Sequence, residues 1–178
     1  ESYSSILSCD KSSSTLTLYK QDENSTYNLE REYNAFTGKA NGDKRAEGDL
    51  KTPIGIYQIK ERLNKETKLD PFYGPLAFVT SYPNLYDKMQ GKNGSGIWVH
   101  GLPLKRERDD FTRGCIAINN TNIECLDRNI DITNTLLIIN PNEHIQTTKE
   151  KLNLLLTQLF KWRYSWLYSD IQNYLSFY

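Results

Sequence analysis

Three cysteines and two histidines are the residues of this chain best suited to nucleophilic or metal chemistry. Cys9, Cys115 and Cys125 stand too far apart for a C-x-x-C zinc site or a disulfide scaffold, and two histidines do not complete a metal ligand set with carboxylates at helical spacing. Thiol–imidazole chemistry remains. His100 ends the apolar run Ile97-Trp98-Val99 and precedes Gly101, where the chain can turn sharply and expose a backbone carbonyl able to hold an imidazole. Cys115 follows Gly114 and opens Ile116-Ala117-Ile118, so amides around it can lie bare on a tight turn. If the strand ending at His100 pairs with the strand starting at Cys115, both side chains meet at one sheet end across the loop 101–114. There the imidazole takes the thiol proton, favours the thiolate and later returns the proton to a leaving amine. The same spacing also fits a buried structural thiol beside a hydrogen-bonded strand-end histidine. His144, in the polar stretch Pro141-Asn142-Glu143-His144, reads as a solvated surface residue without a role.

The elements that must position these residues belong to a chain of 178 residues, long enough for one domain with an appendage. Hydrophobic residues make up 38% and mean hydropathy is −0.66, which gives a modest core and a wet surface. Twenty-two basic residues balance 22 acidic ones, so no overall field draws the chain to nucleic acid or an anionic membrane. No run of 18 apolar residues exists, which argues against membrane insertion, and the start Glu1-Ser2-Tyr3 has no signal-peptide character.

Period-two patterning places strands over residues 3–37, with a turn at 21–25, and again at 54–59, 76–80, 97–100, 115–118 and 136–139. Residues 38–53 and 105–110 are polar and read as loops, as does the Pro, Asn and Gly-rich stretch between Thr80 and Ile97. Thr121 and Glu124 are spaced as a capping box for a short helix. From Thr147 the period becomes 3.6, with Leu152, Leu155, Leu156, Leu159 and Phe160 on one stripe. Possible boxes at Thr147/Glu150 and Ser169/Gln172 divide this tail into two helices. The expected class is therefore mainly β with helices, α+β, and the tail is either a helix pair packed on the β domain or the beginning of a further domain.

Two motifs carry a resemblance. His100-Gly101, a loop, and Thr112-Arg113-Gly114-Cys115-Ile116 resemble the His-Gly … Ser/Thr-x-Gly-Cys pattern of the YkuD (ErfK) family of L,D-transpeptidase catalytic domains, and Gly48-Asp49-Leu50-Lys51-Thr52-Pro53-Ile54-Gly55-Ile56-Tyr57 resembles the family's G-D-x-x-T-P-x-G-x-Y segment. The resemblance covers roughly residues 5–140. It implies a β-sandwich catalytic domain, placed at residues 1–145, followed by carboxy-terminal helices at 146–178.

By this resemblance Cys115 is the nucleophile, His100 the general base, and the Gly101 carbonyl the group that orients the imidazole. Backbone amides of Arg113, Gly114 and Cys115 would form the oxyanion hole. The implied substrate is a murein stem peptide, whose third residue is acylated onto the thiol with loss of D-Ala; no cofactor or metal is implied. Water resolving the acyl-enzyme makes a carboxypeptidase, and an amine from a second stem makes a transpeptidase. Many members carry His two positions before the cysteine and Arg two after it; this chain has Arg113 and Ala117. The text Trp98-Val99-His100-Gly101-Leu102-Pro103-Leu104 with Thr112 to Ala117 is most similar to cell-shape L,D-carboxypeptidases of helical bacteria, and the tail resembles the start of their nuclear-transport-factor-two-like (NTF2-like) domain. The wall substrate implies a periplasmic site with any signal peptide already removed.

Tyr82, Trp98, Thr112 and Arg113 are the candidate substrate-binding residues. Trp98 suits core packing as well as a groove wall, Arg113 a solvent-facing loop as well as a carboxylate contact, and the charged run 105–110 a solvated surface as well as a lid. A silent murein-binding module is the alternative of a different class. Cys9 and Cys125 could pair in an oxidising compartment.

Overall fold

Alternating burial marks the strands. Ser5–Asp10 (β1) buries Leu7 and Cys9, Thr15–Gln21 (β2) buries Leu16 and Leu18, and Tyr27–Phe36 (β3) buries Tyr33 and Ala35. These come from a computed structural model that describes residues 3–104, 110–141 and 147–178. Gly55–Asn64 (β4), Leu76–Thr80 (β5), Trp98–His100 (β6), Ile116–Ile118 (β7) and Thr135–Asn140 (β8) complete a closed sheet in the order β1-β2-β3-β7-β6-β5-β4-β8. The two layers expected of a sandwich are continuous with each other through β3 and β4. Closure leaves no long unpaired edge among the described strands.

Leu85–Met89 forms a short helix (α1) where the sequence reading had only loop. Its start is a full capping box: Asn84 accepts from the Asp87 amide while the Asp87 carboxylate accepts from the Asn84 amide. Asn120–Asn129 (α2) follows β7 and adds Ile123 and Leu126 to the core formed by Leu16, Tyr57, Phe78, Val99, Ile116 and Leu137. A two-pronged ion pair from Arg62 on β4 to Asp127 at 2.5 and 2.6 Å fastens α2 from outside. The Thr121/Glu124 box does not form, because Asn119 is the cap and Thr121 is already helical.

The chain divides into two units, Glu1–Glu143 and His144–Tyr178. In the second, Lys149–Leu167 (α3) and Ile171–Leu175 (α4) are separate helices, as the sequence indicates. Their caps are Thr148 and Asp170, each one residue later than expected. The Trp166 and Tyr174 rings meet at 5.2 Å, while Leu152, Leu155, Leu159 and Phe160 stay exposed. No helix among the described residues is long and apolar enough to cross a membrane.

Three buried lysines hold the long polar segment between β3 and β4. Lys11 donates to the carbonyls of Gly42 (2.6 Å) and Thr52 (2.8 Å). Lys92 bridges Asp43 and Asp87 at 2.8 and 2.9 Å, and Lys44 pairs with Asp49 at 2.8 Å. Such groups are tolerated inside only when paired and hydrogen-bonded. Burial alone would raise the Asp49 carboxyl, but Lys44 and the amides of Ala46, Arg45 and Lys51 hold it well below the usual carboxylate range. The depressed value means Asp49 contributes stability above the ordinary carboxylate pKa and loses it as pH falls through the folded value. Asp49→Asn is therefore expected to lower the melting temperature at neutral pH and to flatten its decline between pH 5 and pH 2, followed by circular dichroism; an unchanged acid slope would contradict this role.

Candidate active site

His100 and Cys115 lie on adjacent strands, and the pairing of those strands is parallel: Val99 stands opposite Ile116 and His100 opposite Ala117. This corrects the expectation that the two side chains meet at one sheet end. Cys115 sits at the entrance to β7, level with Trp98, while His100 sits at the exit of β6. Side-chain alternation nevertheless puts Trp98, His100, Cys115 and Ala117 on one face, with Val99, Ile116 and Ile118 turned into the core. One strand spacing across and two residues along give a Cα diagonal of about 8 Å, within reach of an imidazole and a thiol.

His100 is buried, and its Nδ1 lies 2.6 Å from the Gly101 carbonyl oxygen. A carbonyl only accepts, so Nδ1 carries the proton and Nε2 is the basic nitrogen. The Gly101 backbone is itself fixed. Its amide donates to Leu76 O at 3.1 Å, and a Cβ there would collide with Asn120 Oδ1 and with Pro75 Cδ at 2.9 Å. Asn120 accepts from the Leu102 amide at 2.7 Å, so the first residue of α2 shapes the turn behind the histidine.

The Cys115 thiol is half-buried and donates to Gly96 O at 3.2 Å. Gly114, with φ 137°, brings the chain against Lys51, whose carbonyl oxygen would lie 2.8 Å from an added Cβ. Lys51 belongs to the upstream motif, and that motif is stitched to this loop by Gly38 N to Thr52 Oγ1 (2.8 Å), Thr112 N to Thr37 O (2.7 Å) and Lys39 N to Thr112 O (3.1 Å).

Two of the expected substrate-binding residues, Thr112 and Tyr82, are buried. Thr112 is buried; its hydroxyl accepts from Gly114 N at 2.9 Å and donates to Cys115 O at 2.6 Å, so it braces the turn. The same bond engages the Gly114 amide, one of the three expected oxyanion donors. Tyr82 is only 5% exposed; its hydroxyl donates to Asn93 O and its ring packs on Tyr57, because this stretch closes over the core. Arg113 is exposed, and Trp98 is half-buried. The run 105–109 and His144 lie outside the described residues. Cys9 and Cys125 are free thiols, and burial pushes Cys9 up to about 12.

Tyr73 was not singled out from sequence. Its ring meets Trp98 at 4.7 Å and stands edge-on to His100 at 5.1 Å. Burial first, then the charges of Cys115 and Asp70, push its hydroxyl up, and Arg113 opposes them. The signal was the aromatic between Pro71 and Gly74-Pro75, where Asp70 caps a single 3-10 turn.

Residues 4–139 match the family of YkuD L,D-transpeptidase catalytic domains, and the chain belongs to that family. The structure is similar to the helical cell shape determining protein Pgp2 of Campylobacter jejuni (40% identity, TM-score 0.82), covering all of this chain and 62% of that one. It is similar also to Bdellovibrio bacteriovorus Bd1075 (32% identity, TM-score 0.78), covering 99% of this chain and 63% of that one. YafK of Escherichia coli K12 is 32% identical over 83 residues, 47% of this chain and 29% of that protein. The chain thus spans less than two thirds of the length of each.

Thr112→Val keeps the shape of the side chain and removes both bonds, leaving the buried Gly114 amide without its partner. A loss of about 1–3 kcal/mol in urea unfolding is expected; no shift of the midpoint would mean the hydroxyl does not brace the turn.

Proposed function

We propose that this chain is the catalytic part of a periplasmic cysteine L,D-carboxypeptidase that removes the terminal D-Ala from murein tetrapeptide stems and so affects cell shape. The observation that supports it most is the common face of Cys115 and His100, with the imidazole held in one tautomer by the Gly101 carbonyl. Family membership and the 40% identity with a cell shape determining protein support the wall substrate, and the wall supports an exported enzyme.

In this reading the Cys115 thiol gives its proton to His100 Nε2, and the thiolate attacks the carbonyl of the third stem residue. The oxyanion faces the amides of Arg113 and Cys115, donors that need no reorganisation as charge develops. The tetrahedral intermediate collapses with cleavage of the C–N bond. D-Ala leaves with the proton from Nε2, and a thioester remains. Water then gives a proton to His100 and its oxygen displaces sulfur, which releases the tripeptide and regenerates the thiol. The exposed Arg113 guanidinium would hold the carboxylate of the departing D-Ala. The α3–α4 unit would begin an NTF2-like domain of the whole protein.

Incubation with purified disaccharide tetrapeptide, read by mass spectrometry, tests this. The expected product is the tripeptide, absent with Cys115→Ala. Dimeric stems would instead make the enzyme a transpeptidase, and no Cys115-dependent product from the whole protein would leave a murein-binding module.

A further inference from the structure

Away from the thiol, the outer face of β4 carries a groove of about 530 Å³ that no part of the reading above uses. Tyr57 and Ile59 turn into the core, so Ile56, Gln58 and Lys60 face outward. α1 stands along the other side with Leu85 and Lys88, and Tyr3 closes one end. Between β4 and β7, the strand that Cys115 leads into, lie β5 and β6, so the two are three strand spacings or roughly 14 Å of sheet apart. The groove is therefore separate from the place where acyl transfer would occur.

The groove is held together by side-chain hydrogen bonds and carries two lysines. Gln58 donates from Nε2 to the Tyr3 hydroxyl at 3.2 Å and accepts from Lys60 Nζ at 2.5 Å, so a neutral amide holds the ammonium in place. Asn84 donates to the Ile56 carbonyl at 3.1 Å, tying α1 to the strand, and the buried Asp87–Lys92 pair fixes the helix beneath. Among the described residues neither Lys60 nor Lys88 has a carboxylate partner. Two lysines therefore flank apolar walls formed by Ile56, which is 56% exposed, and Leu85, which is 75% exposed. The volume lies within the range of sites that take small ligands, about 300–1,000 Å³.

We infer that this groove is a second murein site, which binds a stem peptide other than the one being cleaved and anchors the enzyme to the polymer. The inference rests on the murein substrate proposed above. A stem peptide ends on an α-carboxylate, carries a further acidic group and presents alanine methyls. The two ammonium groups take the carboxylates, and Ile56, Leu85 and the Tyr3 ring take the methyls. A stem held here is gripped about three strand spacings from Cys115, so its occupancy is expected to change binding to the wall rather than the bond-breaking steps. Because the polymer offers many stems, a weak second contact raises apparent affinity through effective concentration.

The test separates polymer from monomer. The Cys115→Ala chain, with and without Lys60→Glu and Lys88→Glu, is pelleted with insoluble sacculi at several salt concentrations, and the same lysine changes in the Cys115 chain are assayed on soluble disaccharide tetrapeptide. Binding to sacculi is expected to weaken at least about tenfold and to lose most of its salt dependence, while kcat/KM on the soluble substrate stays within about twofold. Lys60→Gln with Lys88→Gln, and separately Leu85→Asp, should weaken pelleting in the same direction, with melting temperatures reporting that each variant folds. Unchanged pelleting in folded variants overturns the second site. So does a lysine-dependent affinity for phosphatidylglycerol vesicles or for an acidic protein while sacculus binding is untouched. Failure of the carboxypeptidase reading looks different: soluble tetrapeptide stays intact, whatever the lysines do to pelleting.

Discussion

Two backbones touch beneath the candidate nucleophile, and much of the unit serves that contact. A Cβ on Gly114 would lie 2.8 Å from the Lys51 carbonyl oxygen and 3.1 Å from Ile97 Cδ1, so only glycine lets the loop settle where Cys115 leads into β7. Lys51 must in turn stay still. Asp49 takes its amide, Thr52 takes the Gly38 amide, and Lys11 reaches through to the Thr52 carbonyl. The G-D-x-x-T-P segment thus contributes the floor on which the thiol turn rests, a positioning task that explains how a motif so far away in sequence accompanies the cysteine.

That arrangement was legible in part. Period-two burial and the glycines at 101 and 114 are local signals, and local signals survive folding because they depend on neighbours already in the chain. The direction of the β6–β7 pairing is not local. A loop from 101 to 114 is long enough to return the chain either way, and only the closed sheet decides that the strands run parallel. Helix caps shifted by one residue for a similar reason. Thr147 and Thr148, or Ser169 and Asp170, are chemically near-equivalent acceptors, so residue type alone does not choose between them. Tyr82 and Tyr73 both stand near prolines; the core claimed the first, and the second reached the histidine.

Lysine burial was the least legible feature. Composition treats lysine as surface, and Lys11, Lys44 and Lys92 are buried because a polar segment with few apolar residues has no other means of attachment. Charge-assisted bonds to carbonyls and to Asp43, Asp49 and Asp87 replace the apolar packing that residues 38–53 cannot provide. These bonds are directional, which suits a segment whose carbonyl must sit at one place under Gly114.

Orientation of His100 by a carbonyl suits the candidate thiol nucleophile on the same face. A serine hydroxyl is a weak nucleophile whose imidazole partner gains from an adjacent anion that stabilises the imidazolium. A thiol ionises far more easily, so its partner needs the correct tautomer more than a strong charge. In the proposed reaction, Gly101 O would supply the tautomer without adding a negative charge to oppose a thiolate or an oxyanion. The carbonyl can do so only because Gly101 is wedged against Asn120 and Pro75, with its amide on Leu76. Close backbone packing thus fixes the carbonyl that orients the imidazole, and it does so in the turn directly after β6.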